Sequence, residues 1–260
     1  MDGVRNVWLV KPGCGTRGNG IKCFDGMREL LCYAAGRKKG AIAQKYIENC
    51  LLLHDKKFDI RSWTLVSNWN PLTAWIHEPY MRICTESHSL DADSLKNHFK
   101  HLCNRCVQVK SGKYEEQDSE EDGSMWSVET LKKYLEENFE GGESLWKKVE
   151  DQIRRISLMC LHCVQDLIEN KEGCFEWFGL DYVVDDNFNV WLLECNISPD
   201  LSMGTEVLDR LVPLAVRGVF DLLSSKGAAT SSWELVFCGK EIKRESLQRR
   251  QVVRQGIMTE

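Results

Sequence analysis

No run of 18 apolar residues occurs in the chain, so no segment reads as a membrane-spanning helix. The first residues, MDGVRNVWLV, lack the layout of a secretory leader. A strong excess of either charge is missing too: 34 Lys and Arg against 39 Asp and Glu leave a net charge of −5. That balance gives no reason to expect a nucleic-acid partner, and it disfavours docking to an acidic surface by charge alone. The G-x-x-x-x-G-K-[ST] order of a P-loop is absent, as is any internal repeat.

What is present bounds the fold. Of 260 residues, 43% are hydrophobic, enough for a sizeable core in one or two domains. The 12 cysteines are scattered, many in apolar runs such as LMCLHC. Without a leader they read as reduced thiols in the cytosol. Cys103 and Cys106 form one C-x-x-C pair, and Cys160 and Cys163 another. Zinc ribbons place such pairs about 15–20 residues apart, and these are much further apart. Each pair falls in a predicted helix, where i and i+3 share a face, so both read as small apolar residues facing a core.

Along the chain, NVWLVKP is a strand entering the glycine-rich KPGCGTRGNGI, and MRELLCYAAGRKK is helical. AIAQKYIE is a strand. KKFDIRSWTLVS and LTAWIHEPYMRICTE are long alternating strands joined by an NWNP turn. DADSLKNHFKHLCNRCVQV reads as a helix, and residues 110–125 as a mobile acidic loop. SVETLKKYLEENF starts at a Ser cap, and ESLWKKVEDQIRRISLMCLHCVQDLIE is a long amphipathic helix. A hairpin and the helix LDRLVPLAVRGVFDLL follow, while residues 224–260 read as a frayed tail. This order is α/β (α+β), with a largely antiparallel sheet flanked by helices, and it reads as one compact unit.

The hairpin FGLDYVVDDNFNVWLLECNISP carries Asp181 on one arm and Glu194 with Asn196 on the other. Glu194 and Asn196 are two apart on a strand and share a face, with Cys195 pointing away. Asp181 can face them across the ladder. The run Trp191 to Leu193 predicts burial on both faces, and an unpaired buried Glu is costly, so a cation is the natural compensation. Carboxylate and amide oxygens suit Mg²⁺, which prefers one or two carboxylates plus substrate phosphates.

Phosphate-facing groups are also present. KPGCGTRGNGI offers Lys11 and glycines whose backbone N–H groups can approach an anion. Lys45, Lys57, Arg61 and Arg82 lie on predicted strands. Lys57, Asp59 and Arg61 alternate and so share one face, with Phe58 and Ile60 behind. Oxygen ligands, a glycine loop and a basic strand face together favour nucleotide chemistry.

VKPGCGTRGNGI, QKYIENCLLLHDKKFDIRSW and FGLDYVVDDNFNVWLLECNISP, in this order, resemble the tubulin tyrosine ligase-like family of ATP-grasp enzymes. KFDIRSWTLVSNWNPLTAWIHEPYMR and SLDADSLKNHFKHLCN most resemble its glycine ligases. The resemblance implies an ATP-grasp fold whose nucleotide is gripped between two α+β subdomains. It implies that Lys11 contacts nucleotide phosphates and that Arg17, Gly18 and Gly20 belong to a flexible cover. Gln44, Lys45, Tyr46 and Ile47 would line the adenine pocket, and Lys57 and Asp59 would lie near the ribose and substrate side. Arg61 and Arg82 would hold the γ-phosphate or the carboxylate of the incoming amino acid. Asp181, Glu194 and Asn196 would bind Mg²⁺.

The resemblance further implies ATP, free glycine and the acidic tails of tubulin or microtubules as reactants, in the cytoplasm at the cytoskeleton, cilium or axoneme. A glutamate ligase of the same family is the alternative, as is an inactive binding module. The family places further chain ahead of the VKP strand. The N-terminal part of the fold is therefore expected to be missing, leaving an unpaired apolar edge near Val7 to Val10 and at most weak activity in this chain alone.

Overall fold

The computed structural model describes residues 4–13, 18–114, 123–224 and 232–242. Strand β1 (Trp8–Pro12) leads into β2 (Lys22–Phe24), helix α1 (Met27–Ala35) and β3 (Ala41–Lys45). A short β4 (Leu52–Leu53) precedes the long β5 (Lys56–Trp69), then β6 (Leu72–His77) and β7 (Tyr80–Ser87). Helix α2 (Arg105–Gln108), β8 (Met125–Trp126), α3 (Val128–Asn138) and α4 (Gly142–Val164) follow. The hairpin β9 (Glu176–Val184) and β10 (Val190–Asn196), helix α5 (Glu206–Ser224) and β11 (Trp233–Cys238) complete the order. The expected mixture of antiparallel sheet and helices is present. The chain nevertheless divides into two compact units rather than one.

The first unit comprises Met1–Ile60, Tyr80–Leu145 and Val183–Trp191. Its three-stranded sheet has the order β2-β1-β3, all antiparallel, so β1 is central. Val7 and Val10 are fully buried there, and the expected exposed edge is not found. Leu9 pairs with Cys23 and Gln44, and Lys11 with Ile42. Directly opposed residues share a face, so Leu9, Lys11, Ile42 and Gln44 line one side. Leu9 packs there with Val7, Tyr46, Leu95 and Leu102. On the other side Phe24, opposite Trp8, meets Tyr33 of α1 at 5.3 Å between ring centroids.

The helix expected over DADSLKNHFKHLCNRCVQV is instead two 3₁₀ turns, Ser94–Lys96 and His98–Lys100, followed by the four-residue α2. The Asp91 carboxylate accepts from the backbone N–H groups of Asp93 (3.1 Å) and Ser94 (2.8 Å), and the Asn97 side-chain oxygen from that of Phe99 (3.0 Å). Side chains that satisfy backbone donors in this way compete with a continuous helix. Cys103 consequently lies outside a helix, buried with its sulfur 3.5 Å from that of Cys84. In α3 the cap is as expected, Ser127 Oγ accepting from Thr130 N–H at 3.2 Å. Residues 115–122 of the predicted acidic loop lie outside the described residues.

The second unit comprises Arg61–Pro79, Trp146–Tyr182 and Leu192–Glu260. Its sheet path is β10-β9-β5-β6-β11, with α4 and α5 supplying helices. The single strand expected over LTAWIHEPYMRICTE is two, β6 and β7, broken at Glu78 and Pro79. Proline has no N–H to donate and interrupts a ladder. The frayed tail expected after Ser224 contains β11, whose Trp233 pairs with His77 of β6. Trp233 is 2% exposed, its indole donates to the Ala215 carbonyl at 2.9 Å, and its ring meets Trp177 and His77. Gly218 makes this approach possible, since a Cβ there would lie 2.6 Å from Trp233 Cδ1. Trp233→Ala should therefore destabilise the protein by about 3–5 kcal/mol. Denaturant unfolding monitored by circular dichroism checks this, and a loss below about 1 kcal/mol would show that β11 is dispensable.

Candidate active site

The hairpin that carries Asp181, Glu194 and Asn196 lies at a sheet end. β10 is the terminal strand of its path, and Trp191, Leu192 and Leu193 are only half-buried. The expectation of burial on both faces therefore fails. Glu194 and Asn196 are half-buried and adjacent: Asn196 Nδ2 donates to Glu194 Oε1 at 3.2 Å and to the Gly179 carbonyl at 3.3 Å. Asp181 on β9 is 2% exposed and takes both Nε and Nη2 of Arg61, the latter at 3.0 Å. Gly179 admits that guanidinium, since a Cβ would stand 3.1 Å from Arg61 Nη1. Cys195 is an exposed residue whose thiol is nevertheless partly desolvated, and that desolvation, followed by Cys160, Asp181 and Glu194, pushes it up to about 11. It is a poor nucleophile at neutral pH.

This donor set fits Mg²⁺. Glu194 Oε1 accepts from the Asn196 amide, Asp181 receives Arg61 on both oxygens, and Asn196 donates through Nδ2. No group of three or more His, Cys, Asp and Glu occurs among the described residues, so the set is two carboxylates and an amide. Such a set leaves positions for phosphate oxygens and water, as Mg²⁺ prefers.

In the first unit the glycine turn is held at both ends. Gly18 and Gly20 have φ of +71° and +75°, and a Cβ on Gly18 would lie 2.9 Å from Val107 Cγ2. Tyr33 donates its hydroxyl to the Gly20 carbonyl at 2.9 Å. Both glycines border a cavity of about 550 Å³ with Lys96, His98 and Lys110. Arg17 lies outside the described residues. Lys45 donates to the Val7 carbonyl at 3.0 Å and pairs with Glu48, so its ammonium braces the segment it sits on. Tyr46 and Ile47 wall a second cavity of about 630 Å³ with Glu48, Asn49, Asp185 and Trp191. Asp185 accepts from Asn187 N–H (3.0 Å), Asn189 N–H (2.8 Å) and Trp191 Nε1 (3.0 Å), which fixes that wall.

The charged strand face is buried rather than solvated: Lys57, Asp59 and Arg61 are 5%, 5% and 6% exposed. Asp59 receives Nε and Nη2 of Arg82, each at 2.7 Å, a bidentate pair. Lys57 Nζ donates to the Tyr46 hydroxyl at 3.0 Å.

Three histidines are kept neutral by burial. His101 is lowered to about 3, and His77 and His88 each to about 4. Unfolded histidine takes a proton below about 6.5, whereas these resist it in the folded state. Their stabilisation is therefore complete above that value and is lost as pH falls toward 4 and 3. After allowance for partial exposure, each should withdraw about 1 kcal/mol by pH 5. The thermal midpoint should drop by about 5–10 °C between pH 7 and pH 5. Calorimetry across that interval checks it, and a flat profile would mean that these rings protonate freely in the fold.

The tubulin-tyrosine ligase family matches residues 1–229. The chain belongs to that family. It is 35% identical over 257 residues to tubulin glycylase 3C of Tetrahymena thermophila, covering 95% of this chain and 24% of that protein. It is 34% identical over 250 residues to human tubulin monoglycylase TTLL3, covering 91% of this chain and 32% of that protein. Human protein monoglycylase TTLL8 is 34% identical over 250 residues, with 91% and 28% covered. The chain thus spans 24–32% of the length of these relatives.

Within this member of the tubulin-tyrosine ligase family, the residues singled out from sequence fall into contacting sets. Arg61 meets Asp181, Arg82 meets Asp59, Lys57 meets Tyr46, and Glu194 meets Asn196. Lys11 and Gln44 share a sheet face. Lys45 pairs with Glu48. Sequence reasoning missed His88 and His101, which both reach the Tyr46 hydroxyl. His101 falls in the segment expected as a helix and His88 just ahead of it, so no local pattern shows that both rings turn to one point.

Proposed function

We propose that this chain carries the ATP-grasp catalytic region of a ligase that joins glycine to glutamate side chains of tubulin tails. The observation that carries the reading is its 34–35% identity to three glycine-ligating proteins across at least 91% of its length. The oxygen-rich hairpin supports it chemically. Magnesium bound by Glu194, Asn196 and Asp181 would neutralise phosphate charge. Lys11 and the glycine turn would face the phosphates of ATP, and the backbone around Tyr46 and Ile47 the adenine. Arg61 and Arg82, each held by an aspartate in a bidentate pair, would present a guanidinium to phosphate or to the carboxylate of the incoming amino acid.

The acceptor carboxylate attacks the γ-phosphorus of ATP and ADP leaves, giving an acyl phosphate. The glycine amine then attacks the acyl carbon, phosphate leaves, and the amine proton passes to solvent. Positioning and charge neutralisation carry such a reaction, and no protein nucleophile is required. The place of action would be the cytoplasm, at microtubules, cilium or axoneme.

Incubation with labelled glycine, ATP, Mg²⁺ and tubulin, read by mass spectrometry of the tails, tests this. Mass added in glycine steps supports the reading. Preferential incorporation of competing glutamate would replace it with glutamate ligation. No incorporation of either, in a chain that still binds ATP, would favour a binding module.

A further inference from the structure

Three titratable side chains of the first unit converge on the hydroxyl of a fourth. Tyr46 is 1% exposed, and its hydroxyl lies 3.0 Å from Lys57 Nζ, 2.9 Å from His101 Nδ1 and 3.0 Å from His88 Nε2. A hydroxyl offers one proton and two lone pairs. Lys57 can only donate, so it occupies one lone pair. His101 Nε2 stands 3.0 Å from the Ser94 carbonyl, which can only accept, so Nε2 carries the ring proton. Neutral His101 therefore has a bare Nδ1, and Tyr46 donates to it. The second lone pair remains for His88, which must donate from Nε2.

This assignment is free of conflict only while both rings are neutral. Burial first and Lys57 second keep them so. Burial also raises the Tyr46 phenol against the pull of Lys57, so the hydroxyl keeps the proton it donates. A proton on His101 Nδ1 would set three donors against two lone pairs.

Lys57 stands at the end of this chain. Its ammonium lies 4.1 Å from the Tyr46 ring centroid, and among the described residues no carboxylate pairs with it. One acceptor serves three N–H groups. A buried cation needs a counter-charge.

We propose that His101 is a positioning residue for a phosphate group held by Lys57. By taking the Tyr46 proton on Nδ1 it turns the lone pairs of that oxygen toward Lys57 and fixes the ammonium. The inference rests on the nucleotide-ligase reading above, and it moves Lys57 from the ribose and substrate side, which the resemblance implies, to a phosphate.

Titration of ATP and of adenosine into the 260-residue chain and three variants tests it. His101→Leu and Tyr46→Phe should each weaken ATP about tenfold, and adenosine by no more than about twofold. His101→Asn, whose Oδ1 can accept the same proton, should restore ATP affinity to within about threefold of wild type. Nitrogen-15 spectra of the wild type should show the Nε2–H tautomer at both His88 and His101. Folded His101→Leu with wild-type ATP affinity would overturn the role. Equal loss of ATP and adenosine without rescue by His101→Asn would reduce it to general structure and also overturn it. A wild type that binds no ATP would sink the nucleotide reading and the role with it. Should His101→Leu fail to fold, Tyr46→Phe, which loses a single oxygen, carries the same expectation.

Discussion

Glu194→Gln should lower ligation by about a thousandfold while leaving the fold intact. The amide is isosteric, and its oxygen can still accept from Asn196 Nδ2, now at 3.2 Å from Glu194 Oε1. Half-burial at the end strand means that no packing is lost. What disappears is a negative charge, and with it a hard anionic donor for Mg²⁺. ATP binding should weaken in the presence of Mg²⁺ and change little without it, which separates metal loss from a collapsed pocket. Single-turnover ligation and ATP titration at two magnesium levels make the measurement. Ligation at the wild-type rate would remove Glu194 from the metal set.

Much of this site was legible because its signals are local. The alternation over Lys56 to Trp69 gives β5, the Asp and Asn turn gives the β9–β10 hairpin, and Ser127 marks the start of α3. The pairing of charges was not legible. Arg61 and Asp181 are 120 residues apart, and their contact depends on strand order that no local pattern encodes. Strand β11 was missed for the same reason, since its partner β6 lies more than 150 residues earlier in sequence. The segment around Asp91 and Asn97 misled in the opposite sense. Its composition allows a helix, but short polar side chains captured the backbone donors first.

The ion pair of Arg61 and Asp181 gives the second large effect, and it separates two roles for one carboxylate. Asp181→Asn keeps the shape but leaves a guanidinium, 7% exposed, without its counter-charge. Removing one partner of such a pair costs about 3–5 kcal/mol. The thermal midpoint should therefore fall by about 10 °C. Arg61→Met alone strands the Asp181 carboxylate and should cost a similar amount. The double variant removes both charges, and stability should return to within about 1 kcal/mol of wild type. Ligation should not return, because the metal has lost a carboxylate and the substrate anion its guanidinium. Denaturant unfolding of the four proteins, with labelled-glycine incorporation measured on each, completes the cycle. A double variant that is both stable and active would reduce the pair to scaffolding and leave Glu194 and Asn196 to hold the metal alone.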